Sequence, residues 1–189
     1  MPNKLESGLQ ITLPDTNYFI ISNCTTWSKE LGLFSLKEMD FGWWDRDKNK
    51  LYFLEVKDFT KLDHPKAKKP PDPMDFLNSF ITKGTDMLIL LAGIWLSSAK
   101  GQKITNDLLV TCPDFPRNFC KFQLFFVVKT SDPNAGIWLS AMKIVIQDRL
   151  KGRVMLFDLN PVDDVVLIAH QDAINLGLPI REATIATES

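Results

Sequence analysis

Asp40 and the run Glu55-Val56-Lys57 are the residues of this chain whose types and spacing could do chemistry. The polar cluster Asp45-Arg46-Asp47-Lys48-Asn49-Lys50 separates two apolar runs and predicts a turn between two strands. Side chains alternate along a strand, so Glu55 and Lys57 share one face and Val56 takes the other. With the turn centred between Asp47 and Lys48, Asp40 falls opposite Glu55. A slip of one residue would send it to the other face. Two carboxylates that converge across a hairpin, with no His or Cys beside them, suit a hard, oxygen-seeking cation such as magnesium or manganese. The same residue types also occur on solvated edge strands, where charges blunt the edge of a sheet. The unbroken apolar run Leu51-Tyr52-Phe53-Leu54 instead favours a strand covered on both faces, where charges must be paired or bind an ion.

The elements that would hold this hairpin follow from the flanking sequence. Tyr18 to Ile21 is a short β-like run, and Ser22, Asn23, Thr25 or Thr26 could cap a short helix from Trp27 to Leu31 that Gly32 would stop. After the hairpin, the proline-rich and lysine-rich segment KLDHPKAKKPPDP reads as a loop. Its Lys61, Lys66, Lys68 and Lys69 are positioned either to track phosphates beside the hairpin or simply to solvate a linker. Asp72-Pro73 reads as the N-cap and first residue of a helix running to about Ala99, with Leu77, Phe80, Ile81, Leu88, Leu91 and Trp95 as its buried stripe. Lys83 and Asp86 lie on another face, three residues apart, at the spacing of an intrahelical ion pair. Phe122 to Lys129 predicts a central buried strand reached by a helical crossover. Asp132-Pro133-Asn134 opens a further helix carrying Ile137, Ala141, Ile144 and Val145 on one side and ending near Gly152. Val154 to Leu159 reads as a last strand, followed by a short helical or extended segment through Ile174. The hexapeptide Ala-Gly-Ile-Trp-Leu-Ser occurs at Ala92 to Ser97 and again at Ala135 to Ser140, with unlike flanks. It reads as two helical packing segments and not as a repeat architecture.

The residues Asp40 and Glu55-Val56-Lys57 resemble the motif of the PD-(D/E)XK nuclease superfamily. Asp40 stands in the place of its first acid and Glu55-Val56-Lys57 in the place of (D/E)XK, while Met39 replaces the leading proline. The run FLEVKDF, followed by a helix with Lys83-Gly84-Thr85-Asp86, is similar to small bacterial members of that superfamily. The resemblance covers roughly residues 25 to 100. It implies a restriction-endonuclease-like α/β fold: a mixed central sheet, a β-hairpin carrying the site, and helices on both faces. It further implies a metal-dependent nuclease with Asp40 and Glu55 on magnesium or manganese, the Val56 backbone carbonyl as a further ligand, and Lys57 beside the phosphate. Lys83 would approach the substrate phosphate; Glu30 stands where members often carry an additional acid, although a surface glutamate is the favoured reading there; and the kinship is compatible with a homodimer or a larger protein assembly.

Composition narrows the alternatives. The chain has 189 residues, 45% of them hydrophobic, which suits one well-buried domain over residues 1 to 181 with a flexible tail from 182 to 189. A net charge of -1 confines any nucleic-acid affinity to a local patch. Three cysteines form no disulfide framework and no zinc spacing, so they read as buried apolar residues in a reducing, cytoplasmic setting. No secretory leader is evident after Met1, and the apolar run Met87 to Leu96 is too short to cross a bilayer, so no membrane partner is expected. Walker-type phosphate loops, dinucleotide fingerprints and nucleophile elbows are missing. Two function classes remain: a nuclease acting on nucleic acid, DNA favoured over RNA, and a non-catalytic α/β interaction module within a larger assembly. Trp43 and Trp44 beside the hairpin keep the second in play, because aromatic residues are enriched where proteins meet.

Overall fold

A computed structural model of the chain describes residues 2–31, 36–60 and 73–182. Five strands form one sheet in the order β3 (Tyr18–Phe19), β4 (Phe41–Asp45), β5 (Lys50–Asp58), β6 (Lys121–Lys129), β7 (Val165–Ala169). The first three run antiparallel to their neighbours, and β5, β6 and β7 run parallel, so the sheet is mixed. The fold is α/β, as the alternation of elements predicts.

The hairpin turns where the polar cluster demands. Phe41 pairs with Leu54 and Asp45 with Lys50, a register that places position 40 across from position 55. Asp45 Oδ1 accepts from the Lys48 N–H at 3.1 Å, and Asn49 takes a positive φ of 50° that closes the turn. Aspartate and asparagine serve such turns because their side chains bond nearby backbone and tolerate left-handed geometry. At Gly42 a Cβ would lie 2.2 Å from the buried Phe19 ring, so only glycine lets β3 cover β4 here.

Alternation along β5 divides the core in two. Leu51 and Phe53 pack with the helices α1 (Pro73–Trp95), α2 (Ala99–Leu108) and α3 (Ala135–Met155). Tyr52, Leu54 and Val56 pack with Leu9, Ile11, Ala173 and Ile180 on the other face. That second face is covered chiefly by a small antiparallel sheet of β1 (Asn3–Glu6), β2 (Leu9–Thr12) and β8 (Ile180–Glu182), with the short helix α5 (His170–Asn175). The expectation of helices on both faces is therefore corrected: long helices layer one face, and a second sheet takes most of the other. Strand β8 takes in Glu182, the first residue of the expected tail; residues 183–189 lie outside the described residues, as does Asp72.

Other boundaries shift for identifiable reasons. The long helix ends at Trp95, short of Ala99, where Ser97 adopts a positive φ of 54°. Ser98 then caps α2 by accepting the Gly101 N–H at 3.0 Å, and the two helices meet at a bend of 98°. Among the described residues no single helix is long and apolar enough to cross a membrane. A Cβ at Gly101 would sit 2.1 Å from the Gly93 carbonyl oxygen. Gly101→Ala is accordingly expected to lower stability by roughly 2–3 kcal/mol, read as a shifted urea midpoint at unchanged slope.

Helix α3 buries Ala135, Leu139, Ile146, Leu150 and Val154, while Ile137 and Ile144 are exposed by 76% and 68%. The side carrying Ile137, Ala141, Ile144 and Val145 thus faces solvent, because α3 carries two apolar stripes and the sheet chooses one. The helix also runs past Gly152 to Met155, so no strand forms from Val154 to Leu159. Val154 is a core residue of the helix, and the Asn160 side chain then caps a one-turn helix, α4 (Pro161–Asp164). The last parallel strand is β7, within the segment expected to be helical or extended. Both copies of Ala-Gly-Ile-Trp-Leu-Ser begin in helix, and Trp95 and Trp138 each pack against the core with a bonded indole N–H.

Candidate functional site

Glu55 has no solvent exposure, although it is charged in water and stands on a central strand. Three neighbours make that placement tolerable. Lys83 on α1 brings its Nζ to 2.5 Å from Glu55 Oε2 and 3.4 Å from Asp40 Oδ1. Lys57, two residues along the same face of β5, brings its Nζ to 2.8 Å from Glu55 Oε1. Among the described residues Oε1 has this ion pair and accepts no other hydrogen bond. Asp40 Oδ2 accepts the Val56 N–H at 2.9 Å, which continues the hairpin by a side chain where the β4 ladder stops.

The helix is brought close enough by Gly84, where a Cβ would meet Leu150 at 3.0 Å and Phe126 at 3.4 Å. Phe80 fixes the same helix on β6 through a ring contact with Phe126 at 5.0 Å. Lys83 and Asp86 do not form the intrahelical pair that their spacing allows. Lys83 turns to the two carboxylates, and Asp86 Oδ2 accepts the Lys37 N–H at 2.8 Å, so one helix face holds the segment leading into Asp40 at two points. Buried or half-buried carboxylates outcompete a solvated i,i+3 contact worth only a few tenths of a kcal/mol.

Charge and burial compete in this cluster. Burial, then the neighbouring Asp40 charge, push the Glu55 carboxyl up to about 7, against the opposing pull of Lys83 and Lys57. Burial draws the Lys83 ammonium down, but Glu55 and then Asp40 outweigh it and hold it above the ordinary lysine value. A carboxyl that holds its proton more tightly folded than unfolded stabilises the fold fully below the unfolded value. That contribution is lost as pH rises through the folded one. Between pH 4.5 and about 7 the protein should therefore lose on the order of 3 kcal/mol of stability through Glu55. Glu55→Gln should flatten that slope in urea midpoints measured across the same range.

Val56 presents its carbonyl to the same edge as its N–H, since both groups of a strand residue point one way. Ser7 Oγ donates to that carbonyl at 3.2 Å. Ser7 was invisible to motif reasoning; its signal was the Ser7-Gly8 turn, where both residues have positive φ. Glu30 does not join the cluster, being ion-paired to Lys100 and Lys103 on α2. Lys61, Lys66, Lys68 and Lys69 lie outside the described residues. Cys24, Cys112 and Cys120 are free and buried, with burial pushing each thiol up to about 12, so none is poised as a ligand or nucleophile.

Two clefts bear on the site. One of about 530 Å³ is bordered by Lys83, Glu38, Lys37, Ser22 and Ser28 and so adjoins the cluster through Lys83. Another of about 590 Å³ lies on the opposite face over Trp43, Tyr52 and Phe125; its Asp45 and Lys48 are already paired at 3.1 Å. Of the convergent charges, Lys83 borders the first.

Among the described residues no three His, Cys, Asp or Glu side chains gather as a metal site. The carboxylates that converge there nonetheless offer oxygen alone, Asp40 Oδ1 and both Glu55 oxygens, while the Val56 carbonyl is bonded by Ser7 Oγ. Carboxylate oxygens are what a hard divalent cation takes, and they fit one here provided that Lys83 yields its place between Asp40 and Glu55. No family model, curated protein or solved structure matches the chain.

Proposed function

We propose that the chain is a divalent-metal-dependent nuclease of restriction-endonuclease-like fold, hydrolysing phosphodiester bonds with DNA favoured over RNA. The observation that carries the reading is the convergence of Asp40, Glu55, Lys57 and Lys83 at one end of the hairpin, around a carboxylate with no solvent exposure. The mixed sheet, with the site-bearing hairpin joined to a parallel strand through helices, supports the fold assignment.

Asp40, Glu55 and the Val56 carbonyl would hold magnesium or manganese, which when bound lowers the pKa of water and neutralises charge on phosphoryl oxygens. Lys57, with 28% of its side chain exposed, presents its ammonium to solvent beside Glu55 Oε1. There it orients the attacking water and stabilises negative charge as the phosphorane forms. Lys83, at the boundary of the neighbouring cleft, contacts the substrate phosphate. The Asp40 bond to the Val56 N–H and the Asp86 bond to Lys37 keep the first carboxylate in register with the second.

The test is incubation of purified protein with linear and supercoiled DNA, single-stranded DNA and RNA, with magnesium or manganese and with EDTA. Metal-dependent cleavage of at least one substrate is expected; cleavage of none overturns the reading.

One observation favours the other function class. Two carboxylates and two ammonium groups already balance, so the cluster also serves as a structural ion-pair network, as an interaction module that keeps the fold without chemistry would need. Failure to bind manganese together with failure to cleave would select that reading.

A further inference from the structure

Lys83 stands where a divalent ion would have to enter. Its Nζ lies between Asp40 Oδ1 and Glu55 Oε2, two of the oxygens that such an ion needs. With Lys57 on Glu55 Oε1, the four side chains sum to zero charge. A divalent cation added to that set would leave two positive charges uncompensated beside a carboxylate that water does not reach. The arrangement therefore resists metal unless an ammonium leaves or an anion arrives.

Lys83 has somewhere to go. The same side chain borders the 530 Å³ cleft, whose wall also holds the Glu38 carboxylate and the residues Ser22 and Ser28. Its stem is long and flexible, whereas Glu55 is fixed on a central strand and Asp40 is tied to the Val56 N–H. Moving Lys57 would not open that place, because it contacts Glu55 Oε1 alone and does not stand between the two carboxylates.

We propose that Lys83 is an exchangeable internal cation: it holds Asp40 and Glu55 in the substrate-free protein, and cedes them to a divalent ion when an anionic phosphodiester enters the adjoining cleft and takes the ammonium. This rests on the metal-dependent nuclease reading and adds to it an order of events. Metal and phosphodiester bind cooperatively, each strengthening the other to the same degree, because both act through the position of one ammonium. The free protein carries little metal, so hydrolytic chemistry is assembled only around substrate.

The experiment is calorimetric titration of manganese into the wild-type chain and Lys83→Met, each alone and with a short DNA oligonucleotide carrying non-hydrolysable methylenephosphonate linkages. Wild type should bind manganese about tenfold or more tighter with the oligonucleotide than without it. Lys83→Met should bind manganese alone about tenfold tighter than wild type and lose most of the coupling. Equal or weaker manganese binding by Lys83→Met, or wild-type binding indifferent to the oligonucleotide, overturns the exchange while leaving the nuclease reading intact. Absence of manganese binding by wild type in both conditions overturns both. If Lys83→Met does not fold without metal, the wild-type coupling decides alone.

Discussion

Lys57→Ala is expected to reduce phosphodiester cleavage by roughly a hundred- to ten-thousand-fold, the range for losing a positioned charge or proton-handling group at a reacting centre. The fold should survive. Lys57 lies near the end of β5 with 28% of its side chain exposed. Glu55 keeps its shorter contact to Lys83 in the variant. Glu55 is itself buried, but its carboxyl is already held up to about 7 and can keep a proton when Lys57 goes, which limits the cost. Cleavage rate and thermal midpoint measured on the same preparation separate the two effects: a large loss of rate with the midpoint almost unmoved.

The second large effect is on stability. Lys83→Ala should destabilise the protein by about 3–5 kcal/mol, because it strands a carboxylate that has no solvent exposure. The variant can escape part of that cost by keeping a proton on Glu55, so the loss should grow as pH rises above about 7, where wild-type Glu55 ionises. Adding Glu55→Gln to Lys83→Ala removes the buried charge and should restore much of the stability. Urea titrations of the two single variants and the double variant give the coupling directly. A Lys83→Ala loss that Glu55→Gln does not relieve would mean that the lysine stem, and not its charge, was the stabilising part.

The sequence made the hairpin legible because its determinants are local. The turn residues Asp45 to Lys50 set the register, the register puts Asp40 across from Glu55, and alternation separates Glu55 from Val56. Strand β6 was equally readable, since Phe122 to Val128 can only be a strand buried on both faces. What escaped was set by contacts between distant parts of the chain. Strand β8 pairs with β2 from the opposite end of the sequence, and neither is apolar enough to announce a second sheet. The two apolar stripes of α3 obey the same helical period, and only the sheet beneath decides that Leu139 and Ile146 go inward while Ile137 and Ile144 do not. The run Val154 to Leu159 looked like a strand because the inward-facing end of a helix and the turn after it mimic alternation. Likewise, the spacing of Lys83 and Asp86 gave their nearest partners on the helix, not the partners that burial makes more valuable.

The measurement that bears most directly on the central claim is single-turnover cleavage of DNA, in manganese, by wild type and by Asp40→Asn. Asp40→Asn keeps the side-chain oxygen that can accept the Val56 N–H and removes only the charge. Metal-dependent cleavage by wild type, none by Asp40→Asn, and melting midpoints within a few degrees of each other are predicted. Cleavage at the same rate by both proteins would contradict the account, because the phosphodiester bond would then be broken without the Asp40 charge.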